Sequence, residues 1–133
     1  MNHRNFFGIF FLLLAVVAIA CSDSEEANLE KFIPGRWELK QGLRNGRLTQ
    51  TLAGTFYEFF PDGKMRTNLG GSTEEATYEI TGDILFQKSK RLPVEYKIED
   101  ISDSNLVLSM SLRNIPFQLT LQKVQKTVEP PIE

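Results

Sequence analysis

The sequence predicts an all-β domain: a single antiparallel up-and-down barrel of about eight strands. Three observations lead there. From Trp37 to Lys123 apolar and polar residues alternate with a period of two, the pattern of strands that bury one face. Turn signals (Asn45-Gly46, Pro61-Asp62-Gly63, Gly82-Asp83) punctuate that alternation at short intervals. A chain of 133 residues, 41% hydrophobic and 24% charged, makes one modest domain and not two. Strands that each bury a single face are best served by a meander closed on itself, which also leaves no edge exposed.

The elements follow in order. Residues 28–32 allow one short helical turn leading into Ile33-Pro34-Gly35. Trp37 and Leu39 then share a face against Arg36, Glu38 and Lys40. Asn45-Gly46 accepts positive φ at both positions and turns a hairpin; residues 48–52 stay open between strand and loop. Tyr57 and Phe59 face inward, Pro61-Asp62-Gly63 turns the chain, and Met65 returns among basic neighbours. Tyr78 and Ile80 alternate next, and a short strand with Phe86 inward follows Gly82-Asp83. Val94, Tyr96 and Ile98 alternate with three charged residues. Leu106, Leu108, Met110 and Leu112 share one face, and Phe117, Leu119 and Leu121 share another. The expected barrel core is Trp37, Leu39, Phe59, Met65, Ile80, Phe86, Ile98, Leu108, Phe117 and Leu119. The barrel spans residues 33–124, and residues 125–133, with Pro130-Pro131, form a disordered tail.

Residues 1–20 are excluded from the fold. Arg4 gives a positive start, and residues 6–20 are an uncharged run of 15, short of the ~20 needed to span a bilayer as a helix. The run reads as the apolar region of a signal peptide, with an N-terminal anchor helix as the other reading. Ala18-Ile19-Ala20-Cys21 resembles the lipobox of bacterial lipoproteins, whose Cys becomes the mature N-terminus and carries palmitate-type acyl chains. Cys21 is the only cysteine in the chain. With ~0.8 kcal/mol for each buried methylene, more than one acyl chain makes a stable anchor. Residues 21–32 read as an acidic tether ending in the helical turn. Ser22-Asp23-Ser24-Glu25-Glu26 is similar to an acidic export signal that carries lipoproteins of one Gram-negative group to the cell surface. Outer-membrane attachment is therefore expected, with the periplasmic side and the surface both open.

Removing residues 1–20 leaves 113 residues and takes away His3, the only histidine. Ser-His-Asp and Cys-His chemistry, and zinc or copper sites built on those ligands, have no residues to use. No catalytic residue, metal or cofactor is expected, and the protein is read as a non-enzyme. A pI near 5.5 without a concentrated basic face speaks against nucleic acid. Several clusters have plain readings beside sharper ones. Lys88-Ser89-Lys90-Arg91 reads as a solvated loop before an anionic headgroup site. Asp100, Asp103 and Asn105 read as a turn before calcium ligands, lacking the spacing of a calcium loop. Glu74, Glu75 and Glu79 read as surface. Phe56 and Phe60 face away from the core and are expected to pack under residues 48–52.

Together these residues carry a resemblance. Ile33-Pro34-Gly35-Arg36-Trp37-Glu38-Leu39 looks like the opening of lipocalin-like domains, where a G-x-W begins the barrel. Tyr57-x-Phe59-x-x-Asp62-Gly63-Lys64-Met65, Tyr78-Glu79-Ile80-x-Gly82-Asp83-x-Leu85 and Tyr96-Lys97-Ile98 through Leu108 are similar to successive segments of the small lipocalin-like lipoproteins of Gram-negative bacteria. The resemblance implies an eight-stranded barrel closed at one end by the segment before Trp37. It departs from secreted lipocalins in lacking a long C-terminal helix and a T-D-Y element, and Lys123 stands where larger members put an Arg against the Trp. The implied function is a lipid-anchored binding module for a small apolar or amphipathic molecule. Its expected shallow pocket at the open end is lined by some of Tyr57, Tyr78, Tyr96 and Met110. The alternative is a filled barrel that docks or inhibits another envelope protein.

Overall fold

The computed structural model describes residues 29–125. The leader, Cys21, the acidic tether to residue 28 and the tail from residue 126 lie outside the described residues.

Nine strands form one antiparallel sheet: β1 (Gly35–Arg44), β2 (Arg47–Thr49), β3 (Phe56–Phe59), β4 (Lys64–Thr67), β5 (Glu74–Thr81), β6 (Ile84–Lys88), β7 (Val94–Ile101), β8 (Asn105–Leu112) and β9 (Ile115–Lys123). β1 pairs with β9 along one edge, which closes β1 and β3 to β9 into an eight-stranded barrel. The other edge of β1 is shared. β3 takes its first residues, Gly35 to Glu38, and the extra strand β2 takes Gly42 to Arg44. The segment around residue 48 thus forms a strand, short and outside the closed ring, with Leu48 72% exposed.

Two β-bulges let the sheet bend shut. In β1 the register shifts between Leu39 and Gln41, which brings Gly42 inward opposite Leu119. Leu52 packs against Gly42, with its Cδ1 3.4 Å from where a Cβ would stand, an ordinary van der Waals contact. In β7 the shift falls between Ile98 and Asp100, so Ile101 also points inward, opposite Leu106.

One end of the barrel is closed. The turn of helix at residues 29–32 lies across it and buries Leu29 and Ile33 beside Trp37. The Trp37 indole N–H donates to the Ile33 carbonyl at 2.9 Å, which ties the entering chain to the first strand. Lys123, at the end of β9, donates to the Phe32 carbonyl at 2.9 Å and holds its ammonium 5.0 Å from the centre of the Trp37 ring. A cation over an indole face is attracted by the ring quadrupole. Burial lowers the Lys123 pKa from its ordinary value.

The core is a filled one. Trp37, Tyr57, Phe59, Met65, Leu85, Tyr96, Leu106, Leu108, Leu119 and Leu121 are all but inaccessible, with Ile98 and Met110 nearly so. Leu39, Ile80 and Phe117 are half-buried against them. One expected core residue is misplaced. Phe86 faces outward, paired with Glu79 and Glu95, while Leu85 and Gln87 point in. Ile84-Leu85-Phe86 is apolar throughout, so alternation within β6 does not fix its facing. The buried hydroxyl of Tyr96 does, because it supplies a partner for Gln87. The Phe56 ring lies under the Arg36 guanidinium, 4.1 Å away.

Candidate functional site: the open end of the barrel

The tyrosines expected to line a pocket instead make a plug. Tyr57 and Tyr96 are fully buried, their rings edge to face at 5.6 Å between centroids. Their hydroxyls are 3.0 Å apart, and that of Tyr96 donates to Gln87 Oε1 at 2.8 Å. The Gln87 amide N–H in turn donates to the Leu92 carbonyl at 3.0 Å. This carbonyl can only accept, so it orients the amide with Oε1 towards Tyr96. Tyr96 must then donate to Gln87, and Tyr57 must donate to Tyr96. Every polar side chain in this buried series has at least one hydrogen-bond partner, which is what such a chain requires to be stable. Burial raises both phenol pKa values, that of Tyr96 well above its ordinary value.

Tyr78 is elsewhere. Its hydroxyl donates to the Phe60 carbonyl at 2.7 Å and its ring meets Phe59 edge to face, both on the side of the β3–β4 hairpin. The four expected pocket residues therefore do not form one site. Tyr57 and Tyr96 lie in the interior, Met110 beside them is 6% exposed, and Tyr78 borders a different concavity with Ile33, Pro34 and Ile80.

A shallow site does exist at the open end, with other walls. A cleft of about 630 Å³ lies among the β4–β5, β6–β7 and β8–β9 connections. Its apolar lining is Leu69, Leu92, Leu112, Ile115 and Phe117, and its charged lining is Arg44, Arg91, Arg113 and Glu74. Four of the apolar wall residues stand two residues from a buried one: Leu69 above Thr67, Leu92 before Val94, Leu112 above Met110, Phe117 before Leu119. Those four buried residues are at most 6% exposed and belong to the core beneath the cleft. The Ser89 hydroxyl donates to Glu74, and an Arg91 N–H donates to the Ser72 hydroxyl at 3.2 Å. The volume falls within the usual range of small-molecule sites, which combine apolar walls with a few polar groups.

The tip of the β8–β9 hairpin adds an energetic observation. Arg113 and Asn114 both have positive φ, 50° and 65°. The β1–β2 hairpin adopts the same kind of turn with Asn45-Gly46, residues that enter it freely. An arginine in the left-handed region costs about 1 kcal/mol or more, yet it stands at the rim of the cleft.

A second concavity lies on the barrel wall, about 980 Å³, with Phe60, Pro61, Met65 and Ala76 among its apolar residues and Lys64, Arg66, Lys88 and Lys90 among its charged ones. Its charges are largely matched: Lys88 with Glu79 at 2.8 Å, Arg66 with Glu58 at 2.8 Å, and Lys64 with Asp62 at 3.9 Å. Asn105, beside Asp103, closes a turn, its carbonyl accepting from the Ser102 N–H at 2.8 Å. Among the described residues no three Asp, Glu, His or Cys side chains converge as a metal site would need, and no helix is long and apolar enough to cross a membrane.

Compared with family models, curated proteins and solved structures, the chain has no match.

Proposed function

We propose that the protein is a lipid-anchored lipoprotein of the outer membrane whose lipocalin-like barrel binds a small amphipathic molecule at its open end, without catalysis. The cleft of about 630 Å³ carries this reading, because apolar side chains and three arginines meet there over a filled core. A non-enzymatic role is supported by the absence of histidine and of any cysteine after Cys21. The lipobox-like Ala18-Ile19-Ala20-Cys21 supports the anchor. An anchor at Cys21 joins the barrel through the tether of residues 21–28.

Two experiments test this. Intact-mass analysis of the protein purified from membranes should give a chain beginning at Cys21 with added acyl mass; an unacylated chain keeping residues 1–20 refutes the anchor. A hydrophobic dye should bind at micromolar affinity or weaker and lose affinity in Leu69→Asp and Leu92→Asp. Dye binding indifferent to both variants refutes the site.

The wall concavity favours a second reading, a docking face for an envelope protein. Under that reading Lys88→Glu with Lys90→Glu abolishes a pull-down partner while dye binding at the open end is unchanged.

A further inference from the structure

The depth of the open-end cleft and the sign of its rim together restrict the ligand more than an amphipathic molecule in general. This inference rests on the binding role proposed above and concerns the same site.

The rim is cationic. Arg44, Arg91 and Arg113 border the cleft against the single carboxylate of Glu74, which already accepts a hydroxyl from Ser89. Guanidinium groups present planar, paired donors that match carboxylate and phosphate oxygens. Arg113 is held there in a backbone conformation that asparagine or glycine would adopt more cheaply. An unfavourable conformation retained at a rim position is an observation from which a role for the side chain is reasonably inferred.

The floor is close. On β8 the wall residue Leu112 is two positions from the buried Met110. A step of two residues along a strand is about 7 Å. Below that level the Tyr57–Tyr96–Gln87 chain and Leu119 fill the barrel. Carbon–carbon bonds of about 1.5 Å advance a staggered chain roughly 1.3 Å for each methylene. About five or six methylenes therefore span the step from the wall residue to the level of the filled core.

We propose that the site takes a short anionic amphipath: a carboxylate or phosphate head held by the rim arginines, with an apolar tail of about six carbons whose end meets Met110 and the tyrosine plug. A long acyl chain gains nothing past that length, since its remainder stays in water.

The test uses the mature chain, residues 21–133, with Cys21→Ser so that no acyl chain of its own competes. Calorimetry with linear monocarboxylates from about four to sixteen carbons should show affinity rising about fourfold for each methylene, then levelling at about six to eight carbons. Alkyl phosphates of equal length decide which anion is preferred. Matching alcohols should bind at least tenfold more weakly. Arg44→Gln with Arg113→Gln should remove that tenfold advantage and leave the alcohols unaffected. Met110→Ala, which deepens the floor, should move the plateau to longer chains.

Alcohols binding as well as acids would overturn the anionic head, and affinity climbing steadily to the longest acid would overturn the length limit. Either result leaves the binding role standing. Failure of every acid, phosphate and alcohol to bind overturns the inference together with that role.

Discussion

Replacing Tyr96 by Phe removes one oxygen atom from the centre of the barrel and disconnects two neighbours at once. Gln87 Oε1 loses the donor that lies 2.8 Å away, and the Tyr57 hydroxyl loses the acceptor at 3.0 Å. Neither is near water: Gln87 is 2% exposed and Tyr57 is 0% exposed. An unpaired buried polar group costs about 1–3 kcal/mol, so Tyr96→Phe should cost about 2–5 kcal/mol, a large share of the ~5–15 kcal/mol of a small domain. Tyr57→Phe is expected to be milder, about 0.5–1.5 kcal/mol. Tyr57 stands at the donating end, and its loss leaves the Tyr96-to-Gln87 bond intact. Gln87→Leu strands the Tyr96 hydroxyl and the Leu92 carbonyl, again about 2–5 kcal/mol. The double variant Tyr96→Phe with Gln87→Leu strands only the Tyr57 hydroxyl and the Leu92 carbonyl. Its cost should therefore match either single change and fall short of their sum by about 2–5 kcal/mol. Urea unfolding followed by circular dichroism, with an unchanged m-value, gives all four numbers. An additive double variant, or a Tyr57→Phe cost above that of Tyr96→Phe, would refute the donor direction and the sealing of the plug.

The closed end gives a second expectation: Trp37→Ala should cost ~3–5 kcal/mol as a large aromatic truncation. Trp37→Phe should cost ~1–3 kcal/mol because the Ile33 carbonyl loses its donor; denaturant midpoints check both, and a Trp37→Ala cost under ~1 kcal/mol contradicts the buried position. Gly35 has φ near 133°, and a Cβ there would meet Lys123 Cε at 2.6 Å, so Gly35→Ala should destabilise by about 1–3 kcal/mol and move Lys123 away from Trp37. Its effect would be read from unfolding and from a change in Trp37 fluorescence. In alkali the sign follows from the raised phenol pKa values. Below pH 10 the phenols are protonated in both states, whereas above it the unfolded chain loses protons that Tyr57 and Tyr96 keep. Stability should then fall by roughly 2–3 kcal/mol per pH unit, with two of the three tyrosines ionising only as strand circular dichroism disappears. Lys123 acts in the opposite sense, since its lowered pKa makes stability rise with pH in the window below about 10.4. Early, gradual tyrosinate absorbance from a folded protein would show that the plug is wet.

Much of the barrel was legible because alternation is a direct imprint of one buried face. Val94, Tyr96 and Ile98 alternate with charged residues, and their inward facing follows without any knowledge of neighbours. The same logic placed Trp37, Phe59, Met65, Leu108 and Leu119. It failed at β6, where three consecutive apolar residues leave the facing undecided and a polar residue, Gln87, belongs inside. It also passed over both bulges, because one extra residue inverts the facing of everything beyond it and carries no composition signal.

The site was less legible for a related reason. Tyrosines suggest a wet mouth when read singly, since a buried hydroxyl needs a partner. That partner was another tyrosine 39 positions away, joined through an amide to a backbone carbonyl. The real cleft takes its walls from Leu69, Leu92 and Leu112, on three connections distant in sequence. Nothing local marks a leucine in a loop as one wall of a site. Sequence alone determined the strand class, the inward residues of cleanly alternating strands, and the turns at Asn45-Gly46 and Gly82-Asp83. These depend on covalent order and local geometry. Tertiary structure decided the closure of β1 on β9, the facing of β6, and whether the barrel's centre is hollow or plugged. These depend on which distant groups satisfy one another once water has been excluded.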